Sequence, residues 1–133
     1  MFIENPVSRE NKRGWIEVIC GSMFSGKTEE LIRRIRRAEI AGSSISVFKP
    51  EMENRYSDSS LVSHDRTRVP SMRVSGSDRI PGLSEDREVI AIDEAQFFDR
   101  NLPQICTALA DKGKRVIVAG LDMDYRGRPF GPM

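Results

Sequence analysis

Cysteine and histidine are scarce in this chain of 133 residues: there are two of the first and one of the second. Cys20 and Cys106 are far apart, no C-x-x-C pair occurs, and His64 stands alone. That leaves no four-ligand zinc set within the sequence. Each cysteine falls in an apolar, regular-looking segment and reads as a small buried hydrophobe. His64 reads as a loop residue. No apolar run approaches the roughly 20 residues of a membrane span, and the start, Met1 to Pro6, lacks the basic opening and apolar stretch of a secretory signal. A cytoplasmic protein with no membrane partner is therefore expected. Neither sign of charge dominates: 21 basic residues face 20 acidic ones. A nonspecific nucleic-acid binder would show a basic excess, so no nucleic-acid partner is expected. The length suits one domain with a real core.

What the sequence does have is a phosphate-loop pattern. Gly21, Ser22, Met23, Phe24, Ser25, Gly26, Lys27 and Thr28 fit G-x-x-x-x-G-K-[ST]. The two glycines permit backbone angles that a β-carbon would forbid. The loop amides can then surround a phosphate chain, helped by the positive end of the following helix. Lys27 supplies a point charge for the β- and γ-phosphates, and Thr28 a hydroxyl for Mg²⁺. A chance match in a glycine turn is the bland alternative. The flanks argue against it: Trp15–Cys20 reads as a buried strand and Thr28–Ala41 as a helix.

The rest of the chain alternates in the same way. Residues 1–13 are polar and are expected to form a flexible segment ahead of a P-loop-type domain over 14–133. The first strand covers 14–20. The first helix stops at Gly42, with Leu31, Ile32, Ile35, Ala38 and Ile40 as its apolar stripe and Arg33, Arg34, Arg36 and Arg37 as a mostly solvated face. Ser44–Lys49 is a second strand, ended by Pro50. Residues 50–87 run polar and irregular, with a possible short strand at 69–74. Glu88–Asp93 is a third strand and 114–119 a fourth. Between them, 101–113 reads as a helix with Leu102, Ile105, Ala108 and Leu109 inward. Apolar strands alternating with helices predict an α/β fold of the P-loop NTPase type: a parallel sheet with helices on both faces.

The third strand ends in Asp93 and Glu94, which puts two carboxylates at the carboxyl edge of the sheet, where α/β proteins bind ligands. One acid can serve a metal and the other a proton. Acid pairs at strand ends are common, and this one gains meaning only beside the phosphate loop. Phe97 and Phe98 follow, each as plausible in the core as in a substrate wall.

Taken in order, the Met-Phe-Ser of the loop, Glu29-Glu30-Leu31, Lys49 to Arg55 and Tyr56, Asp93-Glu94-Ala95-Gln96-Phe97-Phe98, and Gly120 to Gly131 resemble the thymidine kinases of the class shared by bacteria and the mammalian cytosol. The resemblance implies transfer of the ATP γ-phosphate to the 5′-hydroxyl of thymidine with Mg²⁺. It implies Glu94 as general base, with Lys27 and Arg55 at the transferred phosphate. The loop residues, Asp93 and Gln96 form the nucleotide side, and Thr28, Asp93 and Glu53 the metal side. Met23, Phe97, Leu121, Tyr125 and Phe130 match positions around thymine and sugar. Glu53 replaces the family's usual aspartate, and Tyr125 a common phenylalanine. The resemblance also implies a homotetramer, feedback inhibition by thymidine triphosphate, and a covering loop plus a small zinc-holding domain in sequence beyond Met133. Other readings stay open from the residues: a P-loop kinase for another deoxynucleoside, a nucleotide-binding fragment without activity, or a helicase-like ATPase.

Overall fold

In the computed structural model, residues 14–21, 26–51, 60–62 and 68–121 are described. Their elements run β1 (Trp15–Gly21), α1 (Lys27–Ile40), β2 (Ile45–Pro50), β3 (Ser60–Val62), β4 (Arg68–Pro70), β5 (Met72–Val74), α2 (Ile80–Leu83), β6 (Val89–Ile92), α3 (Leu102–Asp111) and β7 (Arg115–Leu121). Single 3₁₀ turns occupy Ser77–Arg79 and Ala95–Phe97. His64 lies outside the described residues.

Five strands form one sheet in the order β1-β7-β6-β2-β5, and every neighbouring pair is parallel. Parallel strands need crossover segments, and here α1 and α3 supply two of them on opposite faces. Leu31, Ile32, Ile35 and Ala38 of α1 pack on Ile19, Val47, Ala91, Ile117 and Ala119. Leu102, Cys106 and Leu109 of α3 pack on Phe48, Ile90, Ile92, Val116 and Val118. Alternate residues of one strand thus feed two cores, as strand periodicity requires. The expected α/β architecture with both faces covered is the one observed.

Both long helices close in the same way. After α1, the Gly42 and Ser43 amides donate to Glu39 and Ala38; after α3, the Gly113 and Lys114 amides donate to Ala110 and Leu109. This is the paired-bond ending that satisfies orphan carbonyls, with φ of 86° at Gly42 and 90° at Gly113.

Several expectations need correction. The possible strand at 69–74 is two strands separated by Ser71: β4 pairs antiparallel with β3, and β5 extends the main sheet beside β2. Residues 77–83 are helical turns, not irregular chain, because Ile80 anchors them in the core at 0% exposure. Asp99 accepts from the amide and hydroxyl of Ser77, tying this turn to the start of α3. Ile40 is 87% exposed: it falls at the last residue of α1, past the stripe that the sheet covers. Ala108 is exposed and Cys106 takes the inward position on α3. Cys20 is exposed as well. β1 is an edge strand, and Ile16, Val18 and Cys20 alternate onto its open face while Glu17 and Ile19 are buried.

Glu17 was invisible to a periodicity reading that treated β1 as uniformly apolar. Its carboxylate accepts from Trp15 Nε1 at 2.8 Å, Arg34 Nη1 at 2.9 Å and Arg115 Nη2 at 3.0 Å, with a further bond from Arg115 Nε. Burial pushes this carboxyl up. Hydrogen bonds from Arg115 and Trp15, then the charges of Arg115 and Arg34, outweigh that and hold it below the usual glutamate range. Arg34 therefore belongs to a buried ion cluster and not to a solvated face. The signal was present in the sequence as a single carboxylate in the middle of an apolar strand.

Candidate active site

β1 delivers the chain to the carboxyl edge at Gly21, which lies in register with Leu121 of β7. Ser22, Met23, Phe24 and Ser25 lie outside the described residues. The chain resumes at Gly26, with φ 82° and ψ 21°, immediately before α1. A β-carbon there would meet only Glu29 Oε2 at 3.8 Å. The backbone angle, not crowding, is what demands glycine. The Gly26 carbonyl accepts the Glu30 amide at 3.1 Å and so starts the helix. Lys27 and Thr28 are its first two residues, both half-buried. Amides of a first turn have no partner within the helix and form an anion-attracting end.

The acid turn faces this end. β6 stops at Ile92, and the Asp93 amide donates to the Phe48 carbonyl at 3.0 Å, carrying the sheet pairing one residue further. Asp93 is 6% exposed. One of its oxygens, Oδ1, accepts the Glu94 amide at 2.8 Å. Glu94 itself adopts φ 52° and ψ 42°, and it is the only non-glycine residue with positive φ among the described residues. Left-handed backbone at a glutamate costs on the order of 1 kcal/mol. Such strain concentrates where a side chain must point in one particular direction.

Burial pushes the Asp93 carboxyl up, the Glu94 amide lowers it, the Glu94 charge raises it, and Lys49 and Lys27 lower it again. The net position is about 6. Two lysines thus act on the same buried carboxylate.

The turn after the acids is pinned to β7. Gln96 is buried, and its Oε1 accepts the Leu121 amide at 3.0 Å. Its carbonyl is spent on the scaffold, so its side-chain amide is the part left for the nucleotide role expected of it. The two phenylalanines divide: Phe98 is 7% exposed and joins the α3-side core, whereas Phe97 is 37% exposed. Phe97 can therefore line a substrate wall. Leu121 is buried at the end of β7, beside Gly21.

The structure thus brings Gly21, Gly26, Lys27, Thr28, Asp93, Glu94, Gln96, Phe97 and Leu121 to one edge of the sheet. Glu53, Arg55, Tyr125 and Phe130 lie outside the described residues. Lys49, the first residue of the stretch that runs to Arg55 and Tyr56, also arrives at this edge.

Among the described residues no cluster of three or more histidine, cysteine or acidic residues suits a metal ion. Mg²⁺ does not require one, since it is held by one or two carboxylates together with substrate phosphates and water. Asp93, with one oxygen engaged by an amide and the other available, and the Thr28 hydroxyl form a hard oxygen donor set that fits it. A groove of about 1150 Å³ opens at the opposite, amino edge of the sheet, lined by Trp15, Glu17, Arg34 and Arg115 among others. Glu17, Arg34 and Arg115 in its wall are already paired with one another, and it lies at the other end of the strands from the acid turn.

A first strand ending at Gly21, a helix that begins after the left-handed Gly26, and a buried carboxylate at the end of β6, two strands from β1 in a parallel sheet, are consistent with an α/β fold of the P-loop type. A family model described as thymidine kinase matches residues 14–133. The chain is 59% identical over 120 residues to the thymidine kinase of Rhodothermus sp. (strain ITI 518), covering 90% of this chain and 56% of that protein. It is 54% identical over 131 residues to the thymidine kinase of Porphyromonas gingivalis, covering 98% and 64%. With the thymidine kinase of Bacteroides fragilis the figures are 51% over 133 residues, 100% and 67%. The chain belongs to the thymidine kinase family. It spans roughly three-fifths of the length of the curated relatives it matches. Among the described residues no helix is long and apolar enough to cross a membrane.

Proposed function

We propose that this protein transfers the γ-phosphate of ATP to the 5′-hydroxyl of thymidine, as a cytoplasmic enzyme of nucleotide salvage. The observation that carries the reading is the joining of two halves: an identity above 50% to proteins named thymidine kinase, and an acid turn at the same carboxyl edge of the parallel sheet as the approach to α1. In this reading the α1 amides and Lys27 bind the phosphate chain. Glu94, aimed by its left-handed backbone, accepts the 5′-hydroxyl proton as the oxygen attacks. Phe97 and Leu121 form part of the nucleoside wall, with Met23, Tyr125 and Phe130 completing it. Arg55 meets the transferred phosphoryl group, and Gln96 holds the acid turn in register with β7. Thr28 and Asp93, with Glu53, hold Mg²⁺, which when bound neutralises charge on the phosphate oxygens.

Feedback inhibition by thymidine triphosphate and a homotetramer belong to the same proposal. So does a zinc-holding domain in the part of the relatives' length that this chain does not span. Base selectivity is best read by a phosphorylation assay that compares thymidine with deoxycytidine and sets the 133-residue chain beside a protein of the relatives' full length. Thymidine-selective turnover by the longer protein is the expected result. Equal turnover of both nucleosides would favour a kinase of broader choice.

A further inference from the structure

We propose that Lys49 is a second cation for the terminal phosphoryl group of the bound nucleoside triphosphate, placed opposite Lys27 with Asp93 between them; this rests on the kinase reading above. Strand register sets Lys49 and Asp93 side by side. β2 and β6 are parallel and pair Phe48 with Ile92. The Asp93 amide then donates to the Phe48 carbonyl at 3.0 Å. Lys49 and Asp93 are therefore the next residues on two adjoining strands, roughly 5 Å apart in the backbone.

Alternation gives the face. Val47 and Ala91 lie in the core under α1, and Phe48 and Ile92 in the core under α3. The residues that follow, Lys49 and Asp93, return to the α1 side. That is the side on which α1 begins, at Lys27. The charges of both lysines bear on the Asp93 carboxyl, Lys49 the more strongly. Lys49 is half-buried one strand away, and its four-carbon stem is long enough to reach from β2 toward the start of α1.

The chemistry needs such a group. A site that assembles Asp93, Glu94 and a polyphosphate concentrates negative charge, and phosphoryl transfer is catalysed chiefly by cations placed around the transferred group. Lys27 stands at the start of α1, and Lys49 near the end of β2. Lysine suits this position as a compact point charge, without the fork that arginine offers to two oxygens at once.

The test compares Lys49→Met, Lys49→Gln and Lys49→Arg with the unaltered 133-residue chain, titrating ATP and ADP with Mg²⁺ by calorimetry. Urea unfolding of each variant runs alongside. Loss of one charge-assisted contact is expected to weaken ATP binding by about 10- to 100-fold. ADP lacks the terminal phosphoryl and should change by less than about threefold, and arginine should restore most of the ATP affinity. Unchanged ATP affinity in both neutral variants would overturn the proposal. So would equal losses for ATP and ADP, which would mark a structural lysine. An unaltered chain that binds neither nucleotide would overturn the phosphate-loop reading and this proposal together. One that binds both, with Lys49 variants indistinguishable from it, would overturn this proposal alone.

Discussion

Asp93→Asn should make the protein more stable at alkaline pH while harming its function. The carboxyl stands at about 6 in the fold against 3.8 in an unstrained chain. An acid raised in this way binds its proton more tightly when folded. Its contribution to stability is complete below about pH 4, and is lost as pH rises through 6. The shift of about two units corresponds to roughly 3 kcal/mol of penalty carried by the folded protein at pH 8. Asparagine has no such penalty, and its carbonyl can still accept the Glu94 amide that Asp93 Oδ1 accepts at 2.8 Å. The expected gain is about 1–3 kcal/mol at pH 8, shrinking toward zero below about pH 4. Urea unfolding of both proteins without nucleotide or metal, at half-unit intervals of pH, measures it. Other titrating groups cancel in the difference. A difference that stays flat with pH, or that favours the parent at pH 8, would refute the conclusion that burial and the Glu94 charge outweigh the Glu94 amide and two lysines.

Lys27→Ala should abolish phosphoryl transfer with the unfolding curve little changed, since the residue is only half-buried; near-normal kcat would remove Lys27 from the phosphate site. Glu94→Gln should keep nucleotide binding and lose about 10²–10⁴-fold in turnover, read by single-turnover kinetics, and a loss below tenfold with chemistry limiting would mean another base. Glu17→Gln removes a fully buried charge that faces two arginines and should cost about 2–4 kcal/mol by urea unfolding at pH 7. Because the Glu17 carboxyl is held low, its stabilising share is present above about pH 4.5. That share is lost as pH falls further, a trend opposite to that of Asp93, and a variant unchanged at neutral pH would show the cluster to be energetically idle.

The main sheet was legible because its signals are local. β-branched runs at β2, β6 and β7 and helical spacing in α1 and α3 each fixed an element, and Gly42 and Gly113 marked two ends. The phosphate loop and the acid pair were legible because residue type and order carry their chemistry. Other features depend on pairing between distant segments. β5 is three residues long and earns its place only by lying beside β2. Glu17 makes sense only once Arg34 and Arg115, 17 and 98 residues away, are beside it. The exposure of Cys20 follows from β1 being an edge strand, which sequence spacing does not reveal. Phe97 and Phe98 could not be told apart until the 3₁₀ turn after Glu94 sent one into the core and left the other at its edge. Lys49 looked like the end of a strand until register placed it next to Asp93.

The bond from the Leu121 amide to Gln96 gives the site its own reporter. That proton is buried, sits at the end of β7, and is held by a side chain from the acid turn. Its exchange with deuterium therefore requires the turn and the strand to separate. Followed by nuclear magnetic resonance, one amide signal would register loosening of the acid turn before any substrate is added. It would also distinguish variants that damage the chemistry from those that damage the framework beneath it.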